Sequence, residues 1–316
     1  MKKQIFHLYF NDDFDGVSSA ALFSYFVNKK WPGKYKFKYN LAVFKPGYQK
    51  EWIGKKLPEP SAVFDFRYHP DAGWWFDHHE SSFIYESQKK NFKNTAQKAW
   101  DKNRKSCCSL ILNHLSGYFN FEFPGYLKEL AKEADIIDSA GYKSAKEALE
   151  PKESAIKLSN ILPLGFSTKD AKAWIESLAS GPMSEVMKLD LTKKRMLKAE
   201  RIISKAIEEA KNFSKVIGDT VFLPGGRIFS RFAVYLVYPK AYYAVIVSDV
   251  GEYYHIGAGK NPWLEVRDQK DISEVMKKFG GGGHVNVGAT EVKTKKEALQ
   301  IAEKVVEILN SKAVKL

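Results

Sequence analysis

The sequence predicts a two-domain α/β protein with a larger parallel-sheet domain, a long connecting helix and a smaller mixed α/β domain. The chain has 316 residues, which is more than one typical domain. Short β-prone runs alternate with helical segments in its first part, as in a parallel sheet. Residues 183–213 form a long helical segment without glycine or proline. We therefore expect domains over residues 1–182 and 214–316, joined by a helix over 183–213.

The composition agrees with a globular fold and favours an anionic partner. Hydrophobic residues make up 44% of the chain, which is enough for a sizeable core. The formal net charge is +13, because 50 lysines and arginines stand against 37 acidic residues. Such an excess favours nucleic acid or nucleotides as partners. The lysines are scattered, however, so a generally lysine-rich proteome is the alternative explanation.

Three features of the sequence bear on its cellular compartment: its first residues, the length of its apolar runs and its cysteines. No secretory segment follows the first residues, and no apolar run approaches the ~20 residues that cross a bilayer. The two cysteines, Cys107 and Cys108, are adjacent in a predicted helix, where packing is their default role. These features predict a soluble cytoplasmic protein without structural disulfides.

An acidic loop follows the first predicted strand, at residues 5–10. The loop contains Asn11, Asp12, Asp13 and Asp15, and a helix begins directly after it. One carboxylate at this place could simply cap the helix. Three aspartates and an asparagine within five positions exceed that need, because packed carboxylates repel one another unless a cation screens them. The loop therefore predicts a metal site.

Polar residues also end the next two buried strands. Asp65 ends one of them, and the triplet Asp77, His78 and His79 ends the other. In open α/β sheets, the carboxyl ends of the strands face the ligand crevice. Histidine is the commonest metal ligand, and a neighbouring carboxylate can ligate as well or orient an imidazole. Each motif alone is weak, since a lone aspartate is usually a turn residue and a histidine pair can be packed in a core.

A helix over residues 126–134 leads to two further carboxylates. Asp135 and Asp138 are three positions apart, so both project from one face of the helix. The isoleucines between them indicate a half-buried site rather than a solvated helix face. The sequence leaves open which aspartate belongs to the metal site.

Taken together, these motifs resemble those of the DHH phosphoesterase superfamily. Its members include RecJ-type exonucleases, nanoRNase/pAp phosphatases, cyclic-dinucleotide phosphodiesterases and family II pyrophosphatases. The resemblance covers roughly the first 140 residues, and four ordered motifs are specific where each alone is not. It implies that two divalent ions, Mn²⁺ or more weakly Mg²⁺, are held by the following set: Asp13, Asp15, Asp65, His78 and either Asp135 or Asp138. It also implies that His79 lies beside the substrate phosphate and that Asp77 either ligates a metal ion or orients an imidazole.

Asn11 departs from the superfamily pattern, because many members have histidine or aspartate at its place. An amide oxygen can bind a hard cation, but it brings no negative charge and is a poorer ligand than a carboxylate. We therefore expect Asn11 to be a weak ligand of the first metal, which is bound less tightly or is completed by the substrate.

The last hundred residues contain a glycine loop among strands and helices. Strands are predicted at 220–223, 232–237, 242–247 and 253–257, and helices at 272–279 and 298–309. Four glycines, Gly280, Gly281, Gly282 and Gly283, come directly before His284. Such a run has almost no packing use, and it lets backbone N–H groups approach a ligand closely. A flexible linker is the less favoured alternative, because structured segments flank the loop.

This loop is similar to the GGGH-type motif of the DHHA1 domain, which binds substrate in DHH enzymes. The resemblance implies a DHH-type catalytic domain, a long linking helix and a smaller DHHA1-type domain. It also implies substrate contacts from the glycine loop and His284. DHHA1 domains often carry an arginine that contacts the substrate phosphate. Lys260 is our candidate for the equivalent residue, with Arg227 and Arg231 as alternatives.

The predicted function is metal-dependent hydrolysis of phosphodiester or phosphomonoester bonds in nucleotides or short oligonucleotides, with water activated by two metals as the nucleophile. Asp77, His78 and His79 are the candidate catalytic residues. The short-substrate preference rests on the lack of an additional domain that grips a long strand. The alternatives are a single-strand exonuclease for longer strands, a cyclic-dinucleotide phosphodiesterase, a pyrophosphate or polyphosphate hydrolase, and a non-catalytic nucleic-acid-binding protein. The oligomeric state, including a homodimer, is left open.

Overall fold

The computed structural model describes residues 3–45, 47–226, 231–265 and 270–311. The chain divides into two compact units. The first consists of Met1–Gly141 and Lys152–Leu197, and the second of Tyr142–Pro151 and Lys198–Leu316. The division into functional domains at residues 182 and 213 stays a prediction. Arg227, one of the alternatives to Lys260, lies outside the described residues.

A parallel sheet forms the centre of the first unit and confirms the predicted α/β class. Within the described residues it has five strands, in the order β2-β1-β3-β4-β5. The strands are β1 (Gln4–Asn11), β2 (Tyr35–Ala42), β3 (Ser61–Phe64), β4 (Trp74–Asp77) and β5 (Lys98–Trp100). Every neighbouring pair is parallel. All residues of β3 and β4 are buried, as expected for central strands that are covered on both faces.

Helices make up much of the chain up to residue 213, and of these the helix over residues 145–149 and residues 198–213 of the last helix belong to the second unit. In chain order the helices up to residue 213 are α1 (Phe14–Lys30), α2 (Tyr48–Gly54), α3 (Glu86–Asn91), α4 (Cys107–Phe119), α5 (Gly125–Asp138), α6 (Ala145–Leu149), α7 (Ser154–Ile161), α8 (Thr168–Ser180), α9 (Met183–Lys188) and α10 (Asp190–Phe213). A 3-10 helix, Leu162–Leu164, follows α7. The predicted single helix over 183–213 is wrong, because the backbone at Leu189 is extended (φ −61°, ψ 132°) and separates α9 from α10.

Helix α1 starts unusually close to the strand that precedes it. The side chain of Asp13 caps the helix by accepting a hydrogen bond from the N–H of Gly16. A Cβ atom at Gly16 would overlap the backbone of Asn11, so only glycine allows this approach. The tight turn keeps the acidic loop folded against the end of β1.

A mixed sheet forms the centre of the second unit, as predicted. In the described part of this unit it has six strands, in the order β10-β11-β9-β8-β7-β6. The strands are β6 (Lys215–Ile217), β7 (Thr220–Leu223), β8 (Tyr243–Asp249), β9 (Tyr254–Lys260), β10 (Gly282–His284) and β11 (Val287–Val292). The pair β7–β8 is parallel and the other pairs are antiparallel. The helices here are α11 (Phe232–Val237), α12 (Ile272–Lys277) and α13 (Lys295–Asn310).

One strand predicted in this unit is wrong, because residues 232–237 form helix α11. Its residues are β-branched and aromatic, which favours a strand locally. The helix nevertheless buries Ala233, Val234 and Tyr235 in one core cluster with Ala145 and Leu149 of α6. Packing against neighbouring helices therefore overrides the local preference. Of the helices in the described part of the chain, none has the length and apolar composition needed to cross a bilayer.

Candidate metal centre

The predicted acidic and imidazole residues lie at the carboxyl edge of the parallel sheet. Asn11 ends β1, Asp65 directly follows β3, and Asp77 ends β4. These three strands are neighbours in the sheet. Because parallel strands end at the same edge, they bring residues that are distant in sequence next to one another.

His78 is the centre of this cluster. Its ring is buried, and its Nδ1 atom lies 3.0 Å from the carbonyl oxygen of Arg104. A proton on Nδ1 would donate to that carbonyl and direct the Nε2 lone pair to the acidic side. Nε2 lies 3.6 Å from Asp15 Oδ2, 3.6 Å from Asp65 Oδ1 and 3.4 Å from Asp138 Oδ2. Three carboxylates from separate parts of the first unit thus converge on one nitrogen atom.

Asp15 is held in place by the start of helix α4. Its Oδ2 accepts a hydrogen bond from the N–H of Cys107 at 2.6 Å, and its Oδ1 accepts one from the N–H of Cys108 at 2.8 Å. Burial raises the pKa of Asp15 to about 8, and the nearby charge of Asp138 adds to this rise, against the opposite effect of His78. The cysteine pair thus contributes its backbone to the site.

Asn11 and Asp13 are linked at the side of the cluster. The Asn11 Nδ2 donates to Asp13 Oδ2 at 2.6 Å and to Asp65 Oδ2 at 3.3 Å. The Asn11 Oδ1 accepts a hydrogen bond from the N–H of Asp12 at 3.0 Å. The amide therefore turns its nitrogen, and not its oxygen, to the carboxylates, whereas the predicted ligation by Asn11 needs the oxygen. Burial, together with Asp138, raises the pKa of Asp13.

Asp65 occupies a backbone conformation that few residues adopt. Its φ is +53°, in the left-handed region, and its side chain is fully buried. Its N–H donates to the carbonyl oxygen of Phe76 at 3.0 Å, which holds the turn to the adjacent strand. Burial, and then the negative charges of Asp13 and Asp15, raise the pKa of Asp65 well above its ordinary value. Strained, buried carboxylates of this kind are concentrated at functional sites.

Asp77 orients the second histidine of the triplet. Its Oδ1 lies 2.8 Å from His79 Nδ1 and also accepts the N–H of His78 at 2.8 Å. Burial acts to raise the pKa of Asp77, but the charge and hydrogen bond of His79, together with the charge of His78, outweigh it, so the pKa lies below its ordinary value. The His79 side chain is 20% exposed, whereas that of His78 is 1% exposed. Of the two imidazoles, that of His79 is thus the more accessible from solvent.

The two aspartates of α5 have different surroundings. Asp138 lies in the cluster, next to His78 Nε2. Asp135 instead accepts a hydrogen bond from Ser106 Oγ at 2.6 Å. Ser106 caps helix α4, whose first N–H groups hold Asp15. Asp138 is therefore our candidate for the metal ligand of the fourth motif, the last of the four in chain order. Asp135 supports the helix that positions Asp15.

The donor set fits divalent cations. Within the described residues, Asp15, His78 and Asp138 offer ligand atoms within 4.8 Å of one another, and so do Asp65, Asp77, His78 and His79. Oxygen-rich sets with an imidazole suit Mn²⁺, or Mg²⁺ at lower affinity. Buried carboxylates at these distances repel one another unless a cation or protons neutralise them.

The metal-free protein is expected to lose stability as the pH rises from 5 to 8. Asp15, with a pKa of about 8, holds a proton in the folded chain over this range but not in the unfolded chain. Burial acts to lower the pKa of His78, but its carboxylate neighbours raise it well above its ordinary value. His78 therefore also binds its proton more tightly in the folded chain than in the unfolded chain. Because the folded state binds more protons here, the free energy of unfolding falls by at least ~1 kcal/mol. Urea titrations in EDTA measure it.

Asp15→Asn is the control for this pH dependence, since an amide does not titrate. Its stability is expected to change less between pH 5 and pH 8 than that of the wild type. A wild-type chain that becomes more stable towards pH 8 in EDTA would contradict the raised pKa values of Asp15 and His78 in the folded chain.

The glycine loop of the second unit is built into the sheet. Gly282 and Gly283 belong to β10, which pairs with β11. Cβ atoms at Gly281 and Gly283 would overlap the backbones of Ala289 and Val287. The expectation that this run has almost no packing use is therefore wrong, because two of its glycines are needed for close strand contact.

Lys260 ends strand β9 of the same unit. It is buried, at 6% exposure, and its Nζ has no hydrogen-bond partner among the described residues. Its N–H donates to the carbonyl oxygen of Asn286, two residues after the half-buried His284. Burial lowers the pKa of Lys260. Arg231, the other alternative, packs its side chain against Gly259.

Several residues of the metal centre could not be singled out from the sequence. They are Ser106, which caps α4 and binds Asp135, and the backbone groups of Arg104, Cys107 and Cys108. A serine before an apolar helical run is a recognisable start signal for a helix. It does not say which carboxylate the helix start will meet.

Comparisons with known proteins give matches among solved structures. No family model matches the chain, and no curated protein matches its sequence. The pGpG-specific phosphodiesterase PggH from Vibrio cholerae superposes with a TM-score of 0.64 at 18% identity, over 96% of this chain and 99% of that one. An exopolyphosphatase-related protein from Bacteroides fragilis gives 0.47 at 13% identity, over 98% and 93%. An exonuclease RecJ bound to manganese gives 0.49 at 10% identity, over 97% and 90%.

The likeness to the Vibrio cholerae protein extends over nearly the whole of both chains. At this identity it shows the fold. The two sheets of this chain confirm the predicted succession of a parallel-sheet unit and a mixed-sheet unit.

Proposed function

We propose that this chain, which has the fold of the DHH/DHHA1 phosphoesterases, is a metal-dependent hydrolase of phosphate esters. Its proposed substrates are nucleotides or short oligonucleotides. The observation that carries the proposal is the convergence of Asp15, Asp65 and Asp138 on Nε2 of His78. A buried imidazole among three carboxylates is an arrangement that binds dications, and it has little use in a core.

The metal centre would hold its cations through the following residues: Asp13, Asp15, Asp65, His78 and Asp138. Bound dications would neutralise charge on a phosphoryl group and lower the pKa of an attacking water. The protein prepares this role in two ways. The backbone N–H groups of Cys107 and Cys108 fix one carboxylate, and the carbonyl of Arg104 fixes the imidazole.

His79 is the proposed phosphate-binding group of the first unit. Its Nδ1 lies 2.8 Å from Asp77 Oδ1, which orients the ring, and in its doubly protonated form the imidazole would donate from Nε2 to a phosphate oxygen. A charge-assisted hydrogen bond of this kind is stronger than one between neutral groups. Its partial exposure makes this ring accessible to a substrate.

In the second unit we propose that Lys260, His284 and the glycine loop bind substrate phosphate. A buried ammonium group without a hydrogen-bond partner among the described residues is unfavourable unless an anion joins it. Backbone N–H groups in glycine-rich loops are common anion ligands. The net charge of +13 favours anionic substrates in general.

The proposed substrate class and its competitors are separated by one assay. The purified chain with Mn²⁺ is given a labelled dinucleotide, an oligonucleotide of ~20 residues, a cyclic dinucleotide and pyrophosphate. One of the labelled dinucleotides is pGpG, since the structurally similar protein from Vibrio cholerae is a pGpG-specific phosphodiesterase. We expect mononucleotide release from the dinucleotide to be fastest, and EDTA to abolish it.

Faster cleavage of the longer oligonucleotide or the cyclic dinucleotide would replace the proposed substrate class but retain the phosphoesterase. Faster cleavage of pyrophosphate, which is an anhydride and not an ester, would support the pyrophosphate hydrolase instead. Binding of the nucleotides without release of any product, with Mn²⁺ present, would contradict the enzymatic proposal. It would support the non-catalytic alternative instead.

A further inference from the structure

We infer that the neutral Asn11 amide occupies the place of a second cation through its hydrogen bonds to two carboxylates: this chain binds one dication tightly, around His78, and a second one only when the Asn11 amide is displaced. The inference rests on the proposed function, because it concerns the cations of the same centre. It assigns Asn11 a role different from the weak ligation expected from its sequence.

The Asn11 side chain lies between two carboxylates. Its residue is 8% exposed, and its Nδ2 donates to Asp13 at 2.6 Å and to Asp65 at 3.3 Å. An amide NH₂ group has two N–H donors, so it can serve both acceptors at once. The positive end of the amide dipole therefore screens the repulsion between Asp13 and Asp65, as a cation would.

The orientation of this amide is fixed by its other end. The Asn11 Oδ1 accepts the N–H of Asp12 at 3.0 Å. Turning the amide over would set its N–H donors against the N–H of Asp12 and its oxygen against two carboxylates. Three hydrogen bonds thus have to be lost before Asn11 can offer its oxygen to a metal.

The other half of the centre needs no such rearrangement. Asp15, Asp65 and Asp138 place oxygens within 3.6 Å of His78 Nε2. The Asn11 amide donates to other oxygens, Asp13 Oδ2 and Asp65 Oδ2. Asp65 is shared between the two halves, since its Oδ1 faces His78 and its Oδ2 faces Asn11. The first cation therefore enters at His78, and the second has to compete with Asn11.

Counting bound ions tests this inference without measuring activity. Calorimetric titration of the metal-free full chain with Mn²⁺, supported by spectroscopic counting of bound Mn²⁺, should show one tight ion per wild-type chain. Asn11→Asp removes the donor and adds a ligand, so it should bind a second ion at least ~10-fold more tightly than the wild type does.

Two further variants separate the causes. Asn11→Ala removes the amide without adding a charge, and its second ion should also bind more tightly than in the wild type, though less so than in Asn11→Asp. Asn120→Asp adds the same charge in an exposed left-handed position that aspartate tolerates, and it should bind one tight ion.

Several results would overturn the inference. Two equally tight ions in the wild type would do so, and this measurement does not depend on whether any variant folds. A second ion that binds no more tightly in Asn11→Ala and Asn11→Asp than in the wild type would also do so. A wild-type chain that binds no Mn²⁺ would instead refute the proposed function.

Discussion

Asp138→Asn is expected to lower kcat at least ~10³-fold, whereas Asp135→Asn is expected to lower it less than ~10-fold. Both residues are half-buried in the last turn of α5. Only Asp138 lies against His78 Nε2, at 3.4 Å. Loss of its charge weakens the proposed metal ligation directly. An asparagine at 135 can still accept the hydrogen bond from Ser106.

Steady-state rates with Mn²⁺ on the dinucleotide substrate measure this contrast. The two variants change the same helix turn by the same chemical step, so each serves as the stability control of the other. Thermal unfolding should be similar for both. Equal losses of kcat, or a larger loss for Asp135→Asn, would contradict the assignment of Asp138 to the fourth motif.

Lys260→Met is expected to act in opposite directions on substrate binding and on stability. Removal of the ammonium should raise KM ~10-fold or more, because a hydrogen bond to a charged group contributes about 1.5–3 kcal/mol. The same change removes a buried ammonium group that has no hydrogen-bond partner in the described part of the chain. It should therefore raise the free energy of unfolding by roughly 1 kcal/mol.

Kinetics and urea unfolding of the same preparation test both effects. Lys240→Met, at an exposed position of the same unit, is the control for the loss of one positive charge. It should change neither quantity appreciably. A Lys260→Met variant with unchanged KM would remove Lys260 from the proposed substrate site, and reduced stability would show that its ammonium is already stabilised in the folded chain.

Much of the fold follows from local patterns in the sequence. The alternation of apolar strands and helices is visible in the first part of the chain because parallel strands are buried on both faces. The edge of the sheet that carries the polar residues is predictable as well. Asp65 and Asp77 come directly at strand ends, and parallel strands end together.

Other features depend on contacts that a local pattern does not contain. Helical spacing places Asp135 and Asp138 on one face, but only the packing of α4 decides that Ser106 binds the first and His78 meets the second. The β-branched run at 232–237 becomes a helix because it packs on α6. The direction of the Asn11 amide is set by the N–H of its neighbour, Asp12.

The bond between Asp15 and the N–H of Cys107 joins positions 92 residues apart. A nascent chain therefore cannot assemble the centre until α4 and α5 have emerged from the ribosome and docked on the sheet. Binding of the proposed dications would then follow the docking of these helices, and it would report that the first unit has reached its native topology. A copy truncated before α5 would lack Asp138 and could not complete the proposed set of ligands around His78.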